Sequence, residues 1–124
     1  MTTDAKTYQE ASVEVAGLRL AYQHSGNGQP VVVLHRSIGN YDWYPFYSAL
    51  AREAHVYVPD LPGYGQSDRP EWARDPRDLA ELVHRQLDRI GLDRVSCIGL
   101  GFGGWVASEM AVMRQDRKST RLNS

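Results

Sequence analysis

The sequence predicts an α/β domain: a three-layer α/β/α sandwich with helices on both faces of a mostly parallel sheet. Three observations carry this. From residue 31 onward, short β-branched runs alternate with stretches of helical apolar spacing, the order expected of a wound parallel sheet. The run Val31-Val32-Val33-Leu34 is apolar without alternation, as in a strand covered on both faces. Three runs end directly in loops of glycine and polar residues, starting at His35, Asp60 and Gly99. In such sheets ligands gather at the carboxyl ends of the strands.

The elements follow in order. Residues 1–11 are polar and expected to be flexible. Val13 and Val15, then Leu18, Leu20 and Tyr22, alternate around Ala16-Gly17, which predicts two strands joined by a tight turn. Residues 24–30 have loop composition, and the strand 31–34 ends at His35 before a polar, glycine-containing loop over 36–40. A short helix fits 44–51, with Tyr44, Tyr47, Leu50 and Ala51 as one stripe. Val56 to Pro59 is the next strand, closed by Asp60, and residues 61–68 are all turn signal. Asp75-Pro76 supplies an N-cap acceptor and a proline for the first helical position. Leu79, Leu82, Val83, Leu87 and Ile90 then recur at three and four until Gly91. Val95 to Ile98 is the last strand. Val106, Ala107, Met110 and Ala111 give the final helix an apolar face that should fray by residues 117–120.

Composition narrows the function classes. A chain of 124 residues with 42% apolar and 23% charged content is one small globular domain, not a disordered segment. It has no apolar run long enough to span a membrane and no signal-peptide pattern at its start, so the cytoplasm is the expected compartment and no membrane partner is expected. Cys97 is the single cysteine, which excludes a disulfide framework and reads as a core thiol. Residues 1–113 hold 10 basic and 14 acidic side chains, whereas 114–124 hold 4 basic and 1 acidic. That basic tail has no aromatics, no repeat and no groove-reading fold before it, so no nucleic-acid partner is expected.

The densest signal is Cys97 to Ala107: a strand, a glycine-rich turn and a helix start. A nucleophilic serine is presented on such a turn in the pattern G-x-S-x-G. Here the frame is Gly99-x-Gly101-x-Gly103, so the central residue has no side chain. Close approach of strand and helix demands small residues around that centre, a need met by Gly99, Gly103 and Gly104. A dinucleotide loop would have to follow the first strand of a βαβ unit with an acidic residue further on, and that order is absent, so no cofactor is expected. Asp60 has no carboxylate or histidine at ligand spacing in its loop, so it reads as a loop-shaping acceptor and no metal is expected. His84 falls on the polar side of its helix and is expected to be solvated; His24 and His55 have no local partner. Trp43, Tyr44, Phe46 and Tyr47 fit either a pocket mouth or core packing.

Three motifs in order carry a resemblance: His35-Arg36-Ser37-Ile38-Gly39 with Trp43 after it, Asp60-Leu61-Pro62-Gly63-Tyr64-Gly65-Gln66-Ser67-Asp68-Arg69-Pro70, and the glycine turn at 99–103. Over residues 12–114 the chain resembles the N-terminal portion of the α/β-hydrolase superfamily, in the branch with haloalkane dehalogenases, epoxide hydrolases, C–C bond hydrolases and esterases. The resemblance implies strand order 1-2-4-3-5 across the sheet, with strand 95–99 at an exposed edge that invites oligomers or aggregates. It implies a parent that hydrolyses a small, largely apolar ester, amide-like, halide, epoxide or C–C substrate. By the same resemblance the backbone N–H groups of Phe102 and Ser37 would face a developing oxyanion, and His35 would shape its own loop rather than act as base. The last strands, lid, acid and catalytic histidine would lie beyond residue 124. Two departures stand out. Arg36 occupies a position that is usually glycine, where it would crowd the loop or favour an anionic ligand. Gly101 replaces the nucleophile, so this chain is expected to be inactive as a triad hydrolase. The alternatives are a non-catalytic small-molecule-binding protein on the same shell, or an enzyme whose nucleophile or activated water lies elsewhere. Residues 117–124 resemble an adaptor-derived ending, so the basic tail 115–124 is expected to be artefactual or disordered; the alternative is a naturally short protein with a basic tail.

Overall fold

The structure, a computed structural model, describes residues 7–72 and 75–116, the last three by backbone alone. Strands β1 (Gln9–Val15) and β2 (Leu18–Ser25) form an antiparallel hairpin in which Val15 pairs with Leu18. Only two residues turn the chain, and both take positive φ, Ala16 at 51° and Gly17 at 81°, the backbone twist that a two-residue hairpin loop requires. β3 (Pro30–Leu34), α1 (Pro45–Ala51), β4 (His55–Pro59), α2 (Pro76–Ile90), β5 (Ser96–Gly99) and α3 (Phe102–Asp116) follow. The sheet order is β1-β2-β4-β3-β5, as the resemblance implies. β3 runs parallel to both β4 and β5, whereas β2 is antiparallel to β1 and to β4. Over these strands the sheet is therefore mixed, and its parallel part is β4-β3-β5.

Alternate residues of the central strands point to opposite layers. Val32, Leu34 and Tyr57 pack with Leu79, Val83 and Leu87 of α2 and with Val106 and Met110 of α3. Val33, Val56 and Val58 pack on the other face against Trp43 and Tyr47 at α1. This alternation explains why residues 31–34 read as an unbroken apolar run. α2 starts where cap chemistry places it: the Asp75 side chain accepts from the Asp78 N–H at 2.9 Å, and Gly91 closes the helix at φ 97°.

Several expectations need correction. The N-terminal segment expected to be flexible contributes to the sheet from Gln9 on, with Gln9, Glu10 and Ala11 opposite His24, Gln23 and Tyr22. β2 also runs to Ser25, which removes His24 and Ser25 from the expected loop. His84 is not solvated: it is 1% exposed, and its Nε2 lies 2.9 Å from the Met110 carbonyl of α3. His24 and His55 are each other's partners, with Nδ1 of His24 2.9 Å from Nε2 of His55. Residues 31 apart meet here because β2 and β4 are neighbours. Residues 115 and 116 belong to the backbone of α3. The remainder of the expected basic tail, from 117 on, and residues 1–6 lie outside the described residues.

Candidate functional site

β3 and β5 end side by side, with Leu34 paired to Gly99. The chain then turns from β5 into α3 within two residues. Leu100 N–H donates to the Leu34 carbonyl at 3.0 Å, Gly103 N–H to Leu100 at 2.9 Å and Gly104 N–H to Gly101 at 2.9 Å. This tight geometry explains the glycines. A Cβ on Gly99 would collide with the Gly104 Cα and stand 2.6 Å from its nitrogen. On Gly103 it would strike the Leu34 carbonyl oxygen and stand 2.6 Å from that of His35. Gly104 differs from the expectation: a Cβ there finds its nearest neighbour at 3.5 Å, an ordinary contact. Gly104 thus crowds Gly99 with its backbone and needs little space for itself.

Gly101 sits at the apex with φ 54°, a left-handed conformation that glycine adopts without penalty. The space its side chain would enter is bordered by Arg36. A Cβ on Gly101 would lie 3.4 Å from Arg36 Cγ and 3.9 Å from its Cβ and Cδ. Phe102 opens α3, and among the described residues its backbone N–H has no acceptor, as expected for a first-turn donor. Ser37 is exposed in the turn that the Gly39 N–H closes onto the Arg36 carbonyl at 2.9 Å.

His35 is 2% exposed and uses both ring nitrogens. Its Nε2 accepts from the Leu61 N–H at 3.0 Å, which leaves Nδ1 to donate to the Arg36 carbonyl at 2.6 Å. These bonds fix the neutral Nδ1–H tautomer. Burial lowers the pKa of His35, against the opposing pull of the Arg36 carbonyl and the Asp60 charge. Asp60 accepts from the Gln66 N–H at 3.0 Å, and burial raises its pKa. The loop after β4 docks along β2 through further bonds. Ser67 Oγ donates to the Asp60 carbonyl at 2.7 Å and accepts from Ala21 N–H at 2.8 Å; Arg19 N–H donates to Asp68 Oδ2 at 2.7 Å. Ser67 is thereby occupied structurally at both its donor and its acceptor.

Sequence reasoning missed the support on the α1 side. Tyr47 OH donates to Asn40 Oδ1 at 2.8 Å, and Asn40 Nδ2 donates to Gln23 Oε1 at 3.0 Å. This relay ties the loop after β3 to β2. Burial, more than the charges around it, pushes the Tyr47 pKa up to about 12, so the phenol remains a donor across the neutral range. No motif marks Asn40; only the neighbouring positive-φ Gly39, φ 97°, hints at the turn. A groove of about 780 Å³ opens beside the strand ends, with Tyr64, Arg69, Leu79 and Phe102 in its lining. The aromatics left open by the sequence divide: Trp43 and Tyr47 are core, while Tyr44 and Phe46 are exposed. Among the described residues no three of His, Cys, Asp and Glu gather as a metal site, and no helix is long and apolar enough to cross a membrane.

The strand order, the glycine turn after β5 and the polar loops after β3 and β4 together define a hydrolase-type α/β sheet. The family described as alpha/beta hydrolase fold matches residues 29–118, and the chain belongs to it. It is 35% identical over 111 residues to a soluble epoxide hydrolase from Corynebacterium sp. (strain C12), a match covering 89% of this chain and 38% of that protein. It is 30% identical over 107 residues to a 2-hydroxymuconate semialdehyde hydrolase from Pseudomonas sp. (strain CF600), covering 82% of this chain and 38% of that one. Among solved structures, a haloalkane dehalogenase loop variant from Bradyrhizobium elkanii superposes with a TM-score of 0.83 at 26% identity, covering 94% of this chain and 40% of its own. The chain thus spans well under half the length of these relatives.

Proposed function

We propose that the protein carrying this chain handles a small, largely apolar ester, halide, epoxide or C–C substrate above the strand ends, and that the chain as it stands performs no triad-type hydrolysis. One observation carries the reading: the apex of the elbow, at φ 54° between two glycines that packing requires, is Gly101. Glycine has no group that can attack a carbonyl or a carbon–halogen bond. The free N–H of Phe102 and the turn holding Ser37 fit donors for an oxyanion. The histidines support no alternative base. His35 has both nitrogens engaged, His84 is held between α2 and α3, and His24 and His55 sit at the far end of the parallel strands.

A serine-directed fluorophosphonate probe should leave the protein unlabelled, and p-nitrophenyl acetate should not turn over. Labelling that one serine substitution abolishes would sink the reading. Changing Gly101→Ser in the intact protein separates two cases: no activity despite correct folding favours a ligand-holding protein or a loop distorted by Arg36. Esterase activity gained there means that only the nucleophile was missing.

The second reading, a non-catalytic protein that holds a small molecule, is favoured by the Arg36 stem lying against the nucleophile position. Either way the partner is a small molecule, with no role for nucleic acid or membrane, in the cytoplasm. Self-association would use the outer edge of β5, which among the described residues pairs only with β3.

A further inference from the structure

We infer that His24 and His55 form a proton-operated latch. It holds β1 and the residues before it to the sheet while one hydrogen lies between the two rings, and it lets go when both rings are charged. The pair lies at the far end of the parallel strands from the glycine turn, so the inference is independent of the chemistry proposed there.

Strand register brings the pair together. His24 stands opposite Tyr57 of β4, and His55 precedes Tyr57 by two residues, on the same face. The rings meet end to end: Nδ1 of His24 lies 2.9 Å from Nε2 of His55, with ring centres 5.1 Å apart. Tyr57 stacks on both, at 5.7 Å and 4.2 Å between centres, and its OH lies 3.2 Å from His55 Nδ1. A gap of 2.9 Å holds one hydrogen, not two. In the neutral pair either ring supplies it. A first added proton keeps every bond, since His55 then donates from Nε2 to His24 and from Nδ1 to the Tyr57 oxygen. A second proton sets N–H against N–H and one cation against another, so the bond between the rings breaks.

The first strand rests on this pair. β2 meets β4 over only four residue pairs, Tyr22 to Ser25. Gln9 of β1 lies opposite His24, and Ser25 Oγ donates to the Thr7 carbonyl at 2.6 Å. Thr7, Tyr8 and Gln9 line a pocket of about 280 Å³ together with both histidines. The titratable groups that face the rings are Tyr22 and Tyr57 from the same two strands and Tyr8 from the segment before β1. Burial raises the pKa of Tyr22 and Tyr57, so both phenols stay uncharged in the acid range. Burial lowers both histidines, and the charge that lowers His55 further is that of His24.

The test follows the imidazole Hε1 signals of the intact protein by NMR from about pH 8 to about pH 4.5, with hydrogen exchange read by mass spectrometry over the same range. His24 and His55 should titrate in two separate steps. His24→Asn and His55→Gln each place an amide where the ring nitrogen stood, which gives or accepts the single hydrogen at any pH. Each should leave the remaining histidine with one step, above the lower step of the pair. One pH unit below that lower step the latched form is down about tenfold, so protection over residues 7–12 should fall by about that factor more than protection over α2. Either substitution should abolish the extra loss. A single common step for both rings, a titration of one ring that substitution of the other leaves unmoved, equal losses of protection over β1 and α2, or an extra loss that survives both substitutions would overturn the inference.

Discussion

The elbow glycines at 99, 103 and 104 look equivalent in sequence, and packing says that they are not. Replacing Gly103 by alanine drives a Cβ into the Leu34 carbonyl oxygen, with the His35 carbonyl at 2.6 Å. Both obstacles are backbone at the end of a central strand, so neither can swing aside. Relief requires α3 to move away from β3 and β5, which also loosens Val106 and Met110 against Leu34. Overpacking of this kind costs about 1–3 kcal/mol. Gly99→Ala meets the Gly104 backbone in the same way and belongs to the same class. Gly104→Ala meets nothing nearer than 3.5 Å and lies in the first turn of α3. There alanine loses less backbone entropy on folding than glycine, so the change should be neutral or stabilising by up to about 1 kcal/mol. Urea unfolding of the intact protein, followed by far-ultraviolet circular dichroism, reads all three. The expected order of midpoints is Gly104→Ala at or above the parent, with Gly99→Ala and Gly103→Ala clearly below it. A Gly104→Ala variant as weak as Gly103→Ala, or a Gly103→Ala variant indistinguishable from the parent, would refute the packing argument.

Stability should fall as pH drops from about 7.5 to about 5.5, because the histidines with shifted pKa values change state there. Burial lowers the pKa of His35, His24 and His55 below 6.5, so the unfolded chain binds protons first, and stability present above 6.5 is lost on the way down through the folded values. Only His35 is buried enough to weigh heavily, and one such group changes stability by at most about 1.4 kcal/mol per pH unit; Asp60, raised by burial, acts with the opposite sign. Urea midpoints that stay flat or rise over this range would contradict the assignment. Met110→Ala should cost about 2–5 kcal/mol by opening a cavity between α2, α3 and the sheet, where Met110 is fully buried; a loss below about 1 kcal/mol in the same unfolding assay would show that the α3 contact is looser than described.

What the sequence disclosed and what it hid divide along a physical line. Chemistry confined to a few neighbouring residues was legible. Asp75, Pro76 and Gly91 bound α2 because capping is local, and residues 31–34 read as a doubly covered strand because burial on two faces leaves no polar alternation. The strand order came from resemblance, since no single run of residues states which neighbour it will take. Features made by packing between distant segments were hidden. His84 reads as polar-facing until α3 lays the Met110 carbonyl against it, and Gln86 on the same helix is likewise fully buried. His24 and His55 become a pair only through the register of β2 with β4. At the site, the glycine frame was visible, but the difference between Gly103 and Gly104 is a matter of distances that no motif encodes.

Gly101 is best understood through the strain its position would otherwise hold. A serine at the apex would sit at φ 54°, in a left-handed conformation that costs an ordinary residue about 1–2 kcal/mol. Catalytic elbows tolerate such strain because it aims the nucleophile. With glycine there the strain is absent, yet Gly99 and Gly103 still hold strand and helix at their close approach. In the loop after β3 His35 makes both of its bonds beside the exposed Arg36. The close approach of strand and helix and the hydrogen-bonded loop after β3 are therefore built around an apex that carries no side chain.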